Sequence, residues 1–293
     1  MIIPEFDAFI AIDWSGAARG YNGVAAAMCR RGRQAPTLII PPGRRWTRRE
    51  IADWLKRRLG GTQPLLIGFD FAFGFPFEPV LGYLGGCAPH VKKIFDLWSL
   101  IETKSCGEPD FGCNRFVNDQ SYRWLFWTAG TKPEGWSERK RLTEHACAEE
   151  TGTRPDTLYK MLHSKQVGKA SITGMRVLHH VRSCRDAAVA IWPFEKIRRS
   201  AMVEIYPTMF RKMATGRIAK LRSQADLNDA LISIGSRPMR NARRKLSDHE
   251  TDALLSAAGL RSIAHNAAVW QPEGWNSDRV QAEGWIFGVF HSR

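Results

Sequence analysis

The sequence predicts an α/β fold built on a mixed sheet flanked by helices, and three observations lead there. Three short apolar runs near the N-terminus, "DAFIAID", "VAAAMC" and "TLII", are separated by turn-like sequence and read as an antiparallel meander. The segment "TRREIADWLKRRL" then places Ile51, Trp54 and Leu55 at helical spacing with a basic opposite face. After it, "PLLIGFDFAFGFP" opens with a five-residue apolar core ending at Asp70, the pattern of a strand buried on both faces. The order strand, strand, strand, helix, strand lets the fourth strand return parallel to the first through a right-handed crossover.

The remaining elements follow in order. From about residue 85 to 170 the pattern loosens into Gly-, Pro-, Cys- and Trp-rich sequence, expected as an insertion with short helices within a single domain spanning 1–293. Its tryptophans, Trp124, Trp127 and Trp136, serve either as local core or as a base-stacking platform. The stretch "KQVGKASITG" sets Gly168, Ser171 and Gly174 beside Lys165 and Lys169. It reads either as a phosphate-contacting loop or as a connector capping the next helix through Ser171 or Thr173. A helix over "ITGMRVLHHVRSC" and two strands, "AVAIWPF" and "AMVEIYP", follow. Near the C-terminus, "RRKLSDHETDALLSAAGL" carries Ser247 as N-cap, Glu250 as its capping-box partner and an apolar helical body.

With 44% hydrophobic and 25% charged residues, the 293-residue chain is not a disordered or low-complexity protein. Its charge is the departure: 43 basic against 29 acidic residues give +14, which suits a polyanionic partner such as nucleic acid. Between Arg211 and Lys245 stand ten Lys or Arg and two acids, Asp226 and Asp229. No apolar run reaches the roughly 18 residues of a membrane span, so a membrane partner is not expected. The six cysteines form no CxxC pair, and Cys106, Cys113, His145 and Cys147 do not follow a common zinc spacing. With no signal-like segment before the first apolar run, a cytoplasmic protein is expected.

Five acids carry the chemistry. Asp13 and Asp70 each end a strand-like run, and Glu204 lies near the end of another, where open α/β sheets bind their ligands. Asp248 and Asp252 stand about one helical turn apart and are expected on one helix face. Carboxylates beside apolar residues need protonation, a basic partner or a metal. An oxygen-only cluster points to a hard cation, Mg²⁺ or Mn²⁺, and such ions promote in-line displacement at a phosphodiester.

The segments "FIAIDWSG", "IGFDFAFGFP", "VGKASITGM", "AIWPFE", "MVEIYPTMF", "DHETDALLSAAG" and "AEGWIFGV" occur in this order, over roughly residues 8 to 290. In them the chain resembles a family of bacterial predicted nucleases with a ribonuclease H-like fold, long catalogued as domain of unknown function 429. The resemblance implies a ribonuclease H-like core with metal-binding acids on the first strand, a later strand and a C-terminal helix. Carried over by position, Asp13 is the first-strand acid, Asp70 that of the aspartate–aromatic or aspartate–alanine–proline motif, and Glu204 that of the glutamate–tyrosine–proline motif. Asp248 and Asp252 match the helix acids. The chain departs from the pattern at Phe71 and Ala72, where many relatives have a direct aspartate–small–proline turn. It departs again at His249, where a second adjacent aspartate is frequent. His249 is either a solvent-facing helix-start residue or a group for phosphate contact and proton transfer.

The expectation is therefore a metal-dependent nuclease with Asp13, Asp70, Glu204, Asp248 and Asp252 as catalytic and metal-site residues. Two other classes stay open. One is a non-catalytic nucleic-acid-binding protein that keeps the acids for folding. The other is an actin-like or sugar-kinase-like ATPase, suggested by "DWSGAARG" but lacking a second glycine-rich turn.

Overall fold

The computed structural model describes residues 5–17, 24–162, 167–184, 188–240, 244–275 and 277–290. Lys165 and most of the turn expected between the first two strands lie outside them. Among the described residues six strands, β1 (Ala8–Asp13), β2 (Ala25–Arg30), β3 (Thr37–Leu38), β4 (Leu65–Phe69), β5 (Val189–Ile191) and β6 (Ser200–Glu204), form one mixed sheet of order β3-β2-β1-β4-β6-β5. β1, β2 and β3 pair antiparallel, whereas β4 lies parallel to β1, β6 to β4 and β5 to β6. Three antiparallel strands followed by parallel ones is the arrangement the sequence predicts.

The crossover from β3 to β4 is helix α1 (Arg48–Leu59), started by a capping box between Thr47 and Glu50 and carrying Lys56, Arg57 and Arg58 in its last turn. Between β4 and β5 run α2 (Ile94–Lys104), the short α3 (Asn114–Val117), α4 (Leu142–Thr151) and α5 (Val167–Arg182). After β6 come α6 (Pro207–Thr215), α7 (Gln224–Ser233), α8 (Asp248–Ile263) and α9 (Asp278–Glu283).

Strand alternation divides the core in two. Ile10, Ile12, Ile67, Phe69 and Met202 face one way, against residues such as Leu55 of α1, Trp98 of α2 and Met175 of α5. Phe9, Ala11, Leu66, Ala201 and Val203 face the other way, against Phe210 of α6, Leu231 of α7 and Leu254 of α8. α8 lies across β1 and β2 beneath α6 and α7, and every residue from Thr251 to Leu260 is buried. Such all-round burial suits its run of Ala, Ser, Gly and Leu.

The "VGKASITG" segment is neither a loop nor a connector: it forms the first half of α5. Its glycines serve close packing, since a Cβ on Gly168 would overlap the Leu158 carbonyl oxygen and one on Gly174 would press into the Phe71 ring. Its hydroxyls hold the loops that leave the sheet. The Ala72 amide donates to Ser171 Oγ at 3.1 Å, and Trp14 Nε1 donates to Thr173 Oγ1 at 3.2 Å. The insertion's tryptophans pack locally. Trp127 and Trp136 meet edge to face at 5.5 Å, Lys132 stands 5.0 Å from the Trp136 ring, and Arg139 stands 5.7 Å from Trp124.

Gly168→Ala should destabilise the protein by about 2 kcal/mol, as overpacking against fixed backbone does. Urea denaturation checks this, and an unchanged midpoint would show that α5 does not pack this closely on the Leu158 segment.

Candidate functional site

The site begins with strand register. β1 and β4 pair in parallel with Ile12 beside Phe69, and the Asp70 amide donates to the Ile12 carbonyl at 3.0 Å. Asp13 and Asp70 are therefore neighbours at the carboxyl ends of adjacent strands. Alternation turns both toward the α8 face, where Ala11, Leu66 and Gly68 precede them; a Cβ on Gly68 would touch Leu260 of α8. Glu204 is offset by one residue. It pairs with Phe69, so its side chain leaves the sheet on the opposite face.

There Glu204 meets Arg141, whose Nη1 and Nη2 donate to its two carboxylate oxygens at 2.8 and 2.5 Å, while the Phe73 amide adds a third bond at 3.0 Å. Arg141 also donates to Glu144 at 3.0 Å and to the Glu283 carbonyl at 3.1 Å. The whole group is buried. Burial raises the Glu144 carboxyl, with Arg141 drawing it back, and the two carboxylates hold Arg141 firmly protonated against its own desolvation. Glu204 thus closes an internal ion pair, which ties the α4 segment to the sheet.

α8 supplies the opposite wall. Ser247 caps the helix and Glu250 returns to the Ser247 amide at 2.8 Å, which fixes the first turn. From that turn His249 Nδ1 reaches Asp13 Oδ1 at 2.7 Å. One turn from Asp248, the buried Asp252 accepts from Arg211 Nη1 of α6 at 2.5 Å and from Lys220 Nζ. Asp248 itself is exposed on the outside of the helix. The residues α8 presents inward are His249 and Asp252, three apart, rather than Asp248 and Asp252.

Electrostatics single out Asp70. Burial first, then the charges of Asp13 and Asp252, push its carboxyl well above the usual range. Its side chain makes no hydrogen bond or ion pair to another described residue. Burial also raises Asp13, opposed by the hydrogen bond from His249, and that same bond raises the imidazole. Asp70 opens onto a cavity of about 510 Å³, lined also by Ser15 and Gly16 after β1, Lys169 of α5, Tyr206 and His249.

Among the described residues no three His, Cys, Asp or Glu side chains converge into a ready-made metal cage. The six cysteines are free. The donor chemistry that does fit a hard cation is the Asp13–Asp70 pair, two adjacent carboxylates of which one lacks a cationic partner. Arg141, Arg211, Lys220 and His249 are the partners that sequence reading did not assign. For Arg141 the only local signal is Glu144 three residues on, a pairing distance within a helix start. Compared with protein-family models, curated proteins and solved structures, the chain matches none.

Two predictions follow from these charges. The Asp70 carboxyl is raised in the folded protein, so its contribution to stability is complete below the unfolded value of about 3.9 and is lost as pH rises toward the folded value. In metal-free buffer Asp70→Asn should therefore gain on the wild type as pH rises above about 4, then hold a constant lead. Thermal melts across pH measure this, and a lead that shrinks with pH would refute the assignment. Arg141→Ala should cost about 3–5 kcal/mol, because Glu144 and Glu204 stay buried without their cation. A loss below about 1 kcal/mol on denaturant unfolding would contradict it.

Proposed function

We propose that this protein is a metal-dependent phosphodiesterase acting on nucleic acid, on a ribonuclease H-like sheet. The observation that carries the reading is the side-by-side placement of Asp13 and Asp70 at the ends of adjacent strands, where Asp70, its carboxylate unpartnered among the described residues, lines a cavity of about 510 Å³. Repelling carboxylates of this kind favour a divalent cation, which binds their ionised form. The meander followed by parallel strands agrees with the fold that the family resemblance implies.

Asp13 and Asp70 would hold the Mg²⁺ or Mn²⁺, which Mg²⁺ sites commonly achieve with one or two carboxylates and the substrate's own phosphates. The cation would supply Lewis acidity at the phosphoryl group and a nucleophile at neutral pH. The chain's own residues orient and neutralise. His249 fixes one oxygen of Asp13. Arg211 and Lys220 hold Asp252 beside the pair, and Lys220, 38% exposed, also brings a positive charge to the solvent side of the site. Lys169 lines the cavity without an acidic partner among the described residues and suits a substrate phosphate. Glu204, engaged by Arg141, and the outward Asp248 stand outside this ligand pair. Their roles in the reading are to brace the sheet and to start α8.

The test is cleavage of labelled DNA, RNA and hybrid substrates with Mg²⁺, Mn²⁺ or EDTA. Metal-dependent cleavage by the wild type, abolished in Asp13→Asn and Asp70→Asn while binding persists, supports the nuclease. Binding without cleavage under any metal would make the protein a binding module. Neither binding nor cleavage would sink the reading entirely.

A further inference from the structure

On the other side of Asp13 from the cavity, a groove of about 340 Å³ runs beside β3. Ala25, the register partner of Asp13, lies in its wall, so the groove begins one strand from the carboxylate, about 5 Å away. Arg44 and Arg45, from the connection between β3 and α1, stand on its rim. Both are exposed and neither has a hydrogen-bond or ion-pair partner among the described residues. The groove's acid, Glu250, is already paired with Arg244 through both of its oxygens, the Nη1 contact being 2.8 Å. Ile40, 75% exposed, offers an apolar floor next to these charges. The groove and the cavity thus lie on opposite sides of the Asp13–His249 pair, one toward β3 and the other toward β6.

We propose that this groove is the track of the substrate strand: Arg44 and Arg45 each contact a backbone phosphate while a sugar or base edge lies over Ile40, and the next phosphodiester reaches Asp13 and Asp70. The occupant is the sugar-phosphate backbone of a single nucleic-acid strand. The groove lies beside β3, the edge strand of the sheet, and its free charge is guanidinium, whose planar fork matches phosphate oxygens. This rests on the nuclease reading for its catalytic end and on the groove's own charge for its binding end.

Binding of a labelled single-stranded oligonucleotide in EDTA, over a series of salt concentrations, tests the groove apart from catalysis. Losing two phosphate contacts in Arg44→Ala/Arg45→Ala should reduce the slope of log K against log salt by about 1.4. A matched loss of charge at the far end of α1, Arg57→Ala/Arg58→Ala, should leave the slope at its wild-type value. Equal slope changes in the two variants would reduce the effect to overall charge and overturn the track. So would an unchanged slope in the Arg44/Arg45 variant alongside intact metal-dependent cleavage, a result that leaves the nuclease reading standing. Conversely, a slope change confined to Arg44 and Arg45 in a protein that never cleaves would keep the track and remove the nuclease.

Discussion

The parallel pairing of β1 with β4 is the constraint on which the site depends. It sets Ile12 against Phe69 and so brings the next residue of each strand, Asp13 and Asp70, side by side at the sheet's carboxyl edge. Because side chains alternate faces, both then turn toward the helix that covers β1 and β2. A slip of one residue would send one of the two to the opposite face. Glu204 shows the effect: paired with Phe69 instead of continuing beyond it, this acid leaves on the α4 side and is engaged by Arg141, in another wall of the cavity that Asp70 also lines.

Three acids at one edge of a buried sheet, with Asp252 of α8 facing them, are costly, and the fold neutralises three of the four in different ways. Glu204 receives a bidentate guanidinium and a backbone amide, which satisfies nearly all of its acceptor capacity. Asp252 receives Arg211 and Lys220. Asp13 receives an imidazole, a weaker partner whose charge depends on pH. Asp70 receives none of these among the described residues. A carboxylate left open while its neighbours are neutralised is a perturbed group of the kind that clusters at functional sites, and it is the feature on which the proposed metal site rests.

Charge also has a direction across the molecule. The carboxylate pair lies between a cavity bordered by Lys169 and a groove rimmed by Arg44 and Arg45, with Lys220 above Asp252. Acids that would hold a cation are thus flanked by bases that would hold an anion. This juxtaposition gives a specific location to part of the excess of positive charge, which composition alone describes only as a total of +14.

Local patterns in the sequence determined the elements and much of their order. Apolar runs gave the six strands, and capping chemistry gave the start of α8 at Ser247. Backbone preference and strand end are short-range properties, so Asp13 and Asp70 were legible as edge acids from their own runs. The "VGKASITG" segment was misleading, because its glycines suggest a loop when read alone. Only the close approach of Leu158 and Phe71 explains them as packing positions inside a helix. The partners of the acids were decided by tertiary structure alone. Arg141 stands 63 residues from Glu204, and His249 stands 236 from Asp13. No local periodicity encodes contacts at such separations. The sequence also could not assign His249 rather than Asp248 to the inner side of α8, since that choice is set by how the helix is rotated against β1 and β2. Which acids face each other is a matter of register and helix rotation, and both are fixed by how distant apolar surfaces pack, not by any residue's own neighbours.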